Sequence, residues 1–91
     1  MEYKIVKITD LTGKDKTDER ARNRLGRIME LNKNDIKIGK KLMMSCVSPG
    51  WMKSVITSKV KDVVCADDGL IITTENSVYF LVKKDLVKVL R

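Results

Sequence analysis

Two closely spaced turn signals in the second half of the chain constrain its fold more than any other feature. Residues 70–74 and 78–82 are rich in β-branched and aromatic residues, and only Glu-Asn-Ser separates them. An Asp-Asp-Gly sequence at 67–69 precedes the first run, and Asp and Gly tolerate the positive φ that tight hairpin turns need. The pattern therefore predicts consecutive hairpins and an antiparallel sheet.

The rest of the chain continues this β-rich pattern with a turn signal every 8–12 residues. Further strands are predicted at 3–9, at 25–31 with a bend at Gly26, and at 41–47, and a short extended piece at 36–38. Residues 55–57 and 60–65 form either one bent strand or two short ones, and the tail at 86–90 either closes the sheet or forms a helical turn. We therefore predict an all-β fold, a small antiparallel SH3-like barrel or sandwich of about five to seven short strands.

A chain of 91 residues fits one domain, so residues 1–91 are predicted to form a single small β-barrel domain. Its segment at about 13–24 is dense in charge and contains Ala21 as its one apolar residue. This predicts a long exposed loop, or alternatively a single helical turn with Thr17 as N-cap.

The stretch from Arg24 to Leu31, followed by a turn and Ile-Lys-Ile-Gly at 36–39, resembles part of an SH3-like barrel of the KOW type. Members of that family often show a glycine, one further residue and an alternating strand, as in Gly26-Arg27-Ile28. The resemblance covers about fifteen residues and implies a barrel that binds nucleic acid. The sequence at 73–80 is similar in style to short uncharacterised proteins of low-GC bacteria and their phages, which suggests a phage or mobile-element association.

The composition restricts the chemistry of the chain. It has no histidine, which removes the commonest general base and metal ligand at neutral pH. The only cysteines, Cys46 and Cys65, cannot supply the four ligands of a structural zinc site. Since no Gly-rich phosphate loop or nucleophile elbow is present either, we expect no catalytic, cofactor-binding or metal-binding residues. A small ribonuclease that uses Arg, Lys and Tyr alone is the remaining enzyme hypothesis.

The sequence also indicates a location. It shows no secretory signal and no apolar run of the length that a membrane span needs, so a cytoplasmic protein without membrane contact is expected. Cys46 and Cys65 are then expected to be reduced, half-buried thiols, the alternative being a disulfide between neighbouring strands.

A basic segment is the best candidate for a functional site. The 19 Lys and Arg exceed the 12 Asp and Glu, which gives a net charge of +7 and favours an anionic partner. The segment contains Arg20, Arg22, Arg24 and Arg27, most of which would share one face if the chain were extended there. Arginine suits phosphate because its planar fork binds two oxygens at once, whereas the neighbouring residues Asp15, Asp18 and Glu19 oppose an incoming phosphate.

Two aromatic positions complete the candidate residues. Trp51 follows Pro49-Gly50 and precedes Lys53, so it either closes one end of the barrel or stacks on a base or partner surface. Phe80 is predicted to face the core, with its neighbour Tyr79 outside.

Two functions are compatible with these features. The first is a small non-enzymatic binding or regulatory module that acts through protein–protein contacts, with a homo-oligomer as one possible form. The alternative is a nucleic-acid-binding module that uses the basic segment 20–27 together with Trp51 and Lys53. Salt dependence distinguishes the two, because neutralising phosphates makes affinity fall steeply with salt.

Overall fold

Six strands close into one antiparallel barrel in the computed structural model, which describes residues 1–48, 50 and 53–84. Each strand pairs with the next along the chain, and the first pairs with the last. The strands are β1 (Glu2–Thr9), β2 (Ile28–Glu30), β3 (Lys41–Cys46), β4 (Ser54–Ala66), β5 (Gly69–Thr74) and β6 (Val78–Lys83). A short helix, α1 (Glu19–Arg24), and a 3₁₀ turn (Lys33–Asp35) complete the elements. The predicted all-β class is confirmed, and the closed barrel is consistent with the SH3-like option.

Alternating side chains fill the barrel. In β3, Leu42, Met44 and Cys46 point inward while the residues between them are exposed. Every strand contributes to this core, because each places alternate residues on its inner face. The buried apolar side chains are Tyr3, Ile5, Ile8, Ala21, Met29, Leu31, Leu42, Met44, Cys46, Val55, Val60, Leu70, Ile72, Tyr79 and Leu81.

The β4 strand is continuous, which decides between the two alternatives that the sequence left open. It bends at a register shift between Val60 and Asp62, where one extra residue enters the strand. Residues before the bend pair with β3, and residues after it pair with β5. One long strand therefore passes from one neighbour to the other and helps to close the barrel.

The two predicted hairpins are confirmed, but the reason given for the first turn is wrong. None of Asp67, Asp68 and Gly69 has a positive φ. Gly69 is required for space instead: a Cβ there would overlap the carbonyl oxygen of Leu81 and lie 2.9 Å from its carbonyl carbon. The glycine therefore allows the backbones of β5 and β6 to approach closely.

The predicted orientation of β6 is also wrong. Tyr79 is in the core with 4% of its surface exposed, whereas Phe80 is half-buried on the outer face. Lys7 Nζ lies 5.7 Å from the centre of the Phe80 ring. Alternation along a strand predicts that the two rings face opposite sides but leaves open which faces inward.

Three further predictions hold only in part. The strand predicted at 25–31 is only three residues long, because Gly26 turns the chain there with a φ of 82°. Residues 36–38, predicted as a short extended piece, belong to none of the strands, although Ile36 has an extended backbone. Both cysteines are free, as expected, but Cys46 is buried and Cys65 is exposed, so neither is half-buried. The predictions for Trp51 and for the tail at 86–90 lie outside the described residues. Within the described ranges, no helix is long and apolar enough to cross a membrane.

Candidate functional site

The charged segment contains a short helix, as the alternative of a helical turn predicted, and is not the continuous exposed loop. The preceding residue, Asp18, serves as N-cap in place of Thr17, and its carbonyl accepts a hydrogen bond from Arg22 N at 3.0 Å. Ala21 is the one buried residue of α1, and it packs against the barrel. At the other end, Gly26 N donates to the Ile5 carbonyl at 2.7 Å. Together these contacts fix a six-residue helix beside β1.

Helical geometry separates the arginines that an extended chain would align. Residues four apart share a side of a helix, so Arg20 and Arg24 lie together, and both line a cavity of about 440 Å³ between α1 and the barrel. Arg22 lines a different depression, beside Lys7 and Leu25. The Arg27 guanidinium donates back to the Asn23 carbonyl at 3.0 Å. The common face expected of an extended chain is therefore not formed, and two of the four arginines reach the cavity.

Two hydrogen bonds connect cationic side chains to residues of the barrel that line this cavity. Arg24 donates to the Tyr79 hydroxyl at 2.7 Å, and Lys16 donates to the Ser77 hydroxyl at 2.7 Å. The buried hydroxyl of Ser58 has no hydrogen-bond partner within the described chain. The cavity thus combines positive charge with neutral donors and acceptors. Its polar and charged lining residues are Lys16, Asp18, Arg20, Arg24, Ser58, Thr74, Asn76, Ser77 and Tyr79.

The turn between β5 and β6 holds Ser77 rigidly. The Thr74 hydroxyl accepts from Ser77 N and from Asn76 N, and it donates to the Ser77 carbonyl at 3.1 Å. Because Thr74 and Ser77 are both buried, these bonds fix the floor of the cavity.

A second turn positions Lys16. The Asp10 carboxylate accepts hydrogen bonds from the Thr12 hydroxyl, Thr12 N and Lys14 N. The bond from the Thr12 hydroxyl is the main cause of the lowered pKa of Asp10, since it favours the charged form. Beyond this turn, Lys16 N donates to the Ile8 carbonyl at 3.0 Å. The lysine therefore leaves the loop at a fixed point beside β1.

A second depression extends the cavity. It measures about 420 Å³ and includes Lys53, which the sequence had also indicated, and it shares Arg20 and Arg24 with the first. We call the two together the cationic groove, defined by Lys16, Arg20, Arg24 and Lys53. Comparison with family models, curated proteins and solved structures finds no match for this chain. The chemistry of the groove is therefore the guide to function.

The four cations of the cationic groove are not neutralised by ion pairs in the described part of the chain. Asp18 and Glu19 lie along the groove, but neither forms a salt bridge among the described residues. Asp15 instead lies 3.9 Å from Lys7, on another side of α1. The groove thus has four cations against two carboxylates, and its net positive charge favours an anionic ligand.

Sequence reasoning missed Lys16, Ser77 and Tyr79 as members of this site. Lys16 and Ser77 are 61 residues apart, and Arg24 and Tyr79 are 55 apart. Barrel closure brings them together, and no local motif marks them. Among the described residues, no group of three or more His, Cys, Asp or Glu could hold a metal ion.

The hydrogen bond between Arg24 and Tyr79 gives a first testable prediction. We expect Tyr79→Phe to lower the free energy of unfolding by about 1–2 kcal/mol, because it removes a bond to a charged group while keeping the buried ring. Urea denaturation measures the change. Tyr3→Phe is the matched control: no hydrogen bond of its hydroxyl occurs within the described residues, and a loss of at most about 0.5 kcal/mol is expected. Equal losses in the two variants would contradict the role of the bond.

Proposed function

We propose that the protein binds nucleic acid by holding backbone phosphates in the cationic groove. The observation that carries this proposal is the convergence of Lys16, Arg20 and Arg24 on one cavity, with Lys53 in the connected depression. Lysine and arginine side chains that neutralise phosphates supply most of the affinity in sequence-independent binding.

The shape of the groove favours a polymer over a single small anion. Its two depressions share Arg20 and Arg24, while Lys16 lines only the first depression and Lys53 only the second. A nucleic-acid strand presents phosphates at regular intervals and can contact several of these cations at once. The guanidiniums of Arg20 and Arg24 suit phosphate because two parallel hydrogen bonds fit its oxygens.

The groove predicts binding without base specificity. Most polar side chains of its described lining are charged or carry a hydroxyl group, which suits phosphate and sugar, and phosphate contacts carry no sequence information. Strands of different sequence and equal length should therefore bind with similar affinity.

Salt titration tests this function. Three or four phosphate contacts predict that affinity for a labelled oligonucleotide falls about 20- to 150-fold between 50 and 200 mM salt, because bound counterions are released. Fluorescence anisotropy with single-stranded and duplex probes measures this slope. The proposal would be refuted if the protein did not bind the oligonucleotide at the lowest salt concentration, or if its affinity did not change with salt.

A second candidate function is an interaction module that acts through protein contacts. It is favoured by a row of outward-facing apolar side chains, the apolar stripe, which consists of Val6, Val64, Ile71 and Phe80. Val64 pairs with Ile71 and Ile71 pairs with Phe80 across neighbouring strands, and Val64 is 49% exposed. Exposed apolar surface of this kind marks interaction sites. The apolar stripe shares no residue with the cationic groove, so salt-insensitive association through it is measurable apart from nucleic-acid binding.

A further inference from the structure

Among the residues that the structure describes, the second half of β4 has an open edge. Up to Val60 the strand is bonded on its β3 side, where Gly39 N donates to the Val60 carbonyl and Val60 N donates to the Lys40 carbonyl. Residues 61–66 pair with β5 on one side only, and on the other side no backbone group of the described chain bonds to them. Such an edge is a template for pairing with another strand.

The apolar stripe leads directly to this edge. Val64 is its last member on β4, and Ile71 and Phe80 continue it over β5 and β6. Around Val64, the residues Lys61, Asp62, Cys65 and Ala66 are also exposed. A strand that paired with β4 would therefore meet an accessible backbone and extend an apolar surface. Val63 points the other way and packs against the core.

We propose that the occupant of this edge is a second copy of this chain, paired antiparallel along β4 with Val64 opposite Val64 of the second copy. A twofold axis normal to the sheet joins the two outer faces into one surface, and it lies midway between one residue of the strand and the same residue of the second copy. The apolar stripes of both copies then meet at the axis. This proposal does not depend on nucleic-acid binding.

The charged residues of β4 and of the turn that follows it favour Val64 as the residue beside the axis. An axis at Asp62 would place that residue opposite its own copy, and an axis at Cys65 would place Asp62 opposite Asp68; both arrangements oppose like charges. An axis at Val63 would place Asp62 opposite Val64. The axis at Val64 instead opposes no like charges along the strand, since it pairs Asp62 with Ala66 of the second copy. It also brings Lys61, at the bulge that begins this half of β4, towards Asp67 in the turn that follows β4 of the second copy, and symmetry repeats this favourable approach.

The self-complementary charges also favour a second copy over a strand of another protein. A foreign strand would need its own acidic group opposite Lys61 and its own basic group opposite Asp67. This chain supplies both at the required spacing, six residues apart. The pairing joins the two barrels through β4 and leaves the cationic groove of each copy uncovered by the paired strands.

Oligomeric state as a function of concentration tests the proposal. We expect sedimentation velocity of the full chain to show a reversible monomer–dimer equilibrium over about a hundredfold range of concentration. Val64→Lys places two like charges at the axis and should weaken dimerisation about tenfold or more. Met43→Lys is the matched control: Met43 is 63% exposed on β3, away from the open edge, and its variant should dimerise like the wild type.

Charge reversal tests the register itself. Lys61→Asp should weaken the dimer about tenfold, because it places two acidic groups opposite each other in each of the two symmetric pairs, and adding Asp67→Lys should restore it. A Val64→Cys, Cys65→Ser variant should form a disulfide-linked dimer under mild oxidation, since opposed residues of antiparallel strands lie within disulfide reach. Thermal melting confirms that each variant is folded.

Three results would overturn the proposal. The first is a chain that stays monomeric at every concentration. The second is a dimer that responds equally to Val64→Lys and Met43→Lys. The third is a monomer that captures an extended peptide along β4, which would show that the edge serves another protein.

Discussion

The Gly69→Ala variant is expected to lose about 3 kcal/mol or more of unfolding free energy, enough to lower the melting temperature of a domain this size by about 12 °C or more. The added Cβ would overlap the Leu81 carbonyl oxygen and lie 3.0 Å from Val82 Cα. Both obstacles are backbone atoms of β6, so no side chain can rotate away to make room. Relief requires β5 and β6 to separate where they pair, which disrupts the closure of the barrel.

Gly39→Ala is the control for this prediction. A Cβ at position 39 meets nothing within 4 Å, but the residue has a φ of +84°. Its cost is therefore conformational and about 1–2 kcal/mol. Thermal melts and urea titrations of both variants distinguish the steric overlap at position 69 from the backbone strain at position 39. If Gly69→Ala lost no more stability than Gly39→Ala, the close approach of β5 and β6 would not be a constraint on this sequence.

Gly69 also illustrates how far the sequence specifies the fold. The turn at 67–69 was predictable because Asp and Gly cluster between β-forming runs. The role of the glycine was not, since contact with Leu81 exists only after β6 has folded back against β5. Local residue types thus predicted the hairpin, while the steric reason for Gly69 depends on the tertiary arrangement.

The two rings of β6 show a related limit. Period-two alternation predicts that Tyr79 and Phe80 point to opposite sides, and hydrophobicity alone favours Phe80 inside. The structure buries Tyr79 and satisfies its hydroxyl with Arg24, at the end of the barrel. The hydroxyl of a buried tyrosine usually finds a partner, and the partner of Tyr79 comes from a helix 55 residues away. The sequence therefore predicted the strand but not its inward face.

The sequence identifies several charged residues of the candidate site but not their arrangement in space. Arg20, Arg24 and Lys53 were candidates from the sequence, and the structure places all three in the cationic groove. Alternation along an extended chain groups Arg22 with them. The sequence also offers a helical turn, but a six-residue helix with one buried alanine has almost no hydrophobic periodicity, so the sequence does not decide between the two conformations.

The helical separation of the arginines permits a decisive test of the proposed function. We expect the double variant Arg20→Ser, Arg24→Ser to bind oligonucleotides about 30- to 100-fold more weakly at moderate salt, because two charge-assisted contacts are lost. Its salt slope should flatten by roughly two units, one for each lost phosphate contact. Anisotropy titrations at several salt concentrations measure both quantities.

The control is Arg22→Ser, Lys33→Ser, which removes the same charge from exposed positions outside the cationic groove. If binding depends on the groove, this variant should keep nearly the wild-type affinity and slope, whereas a response to net charge alone would weaken both double variants equally. Arg24→Ser also removes the hydrogen bond to Tyr79, so Arg20→Ser alone provides a variant without that loss. It should reduce the slope by roughly one unit with unchanged stability. Equal effects of the two double variants would show that phosphate is attracted by the whole surface and would refute a site in the groove.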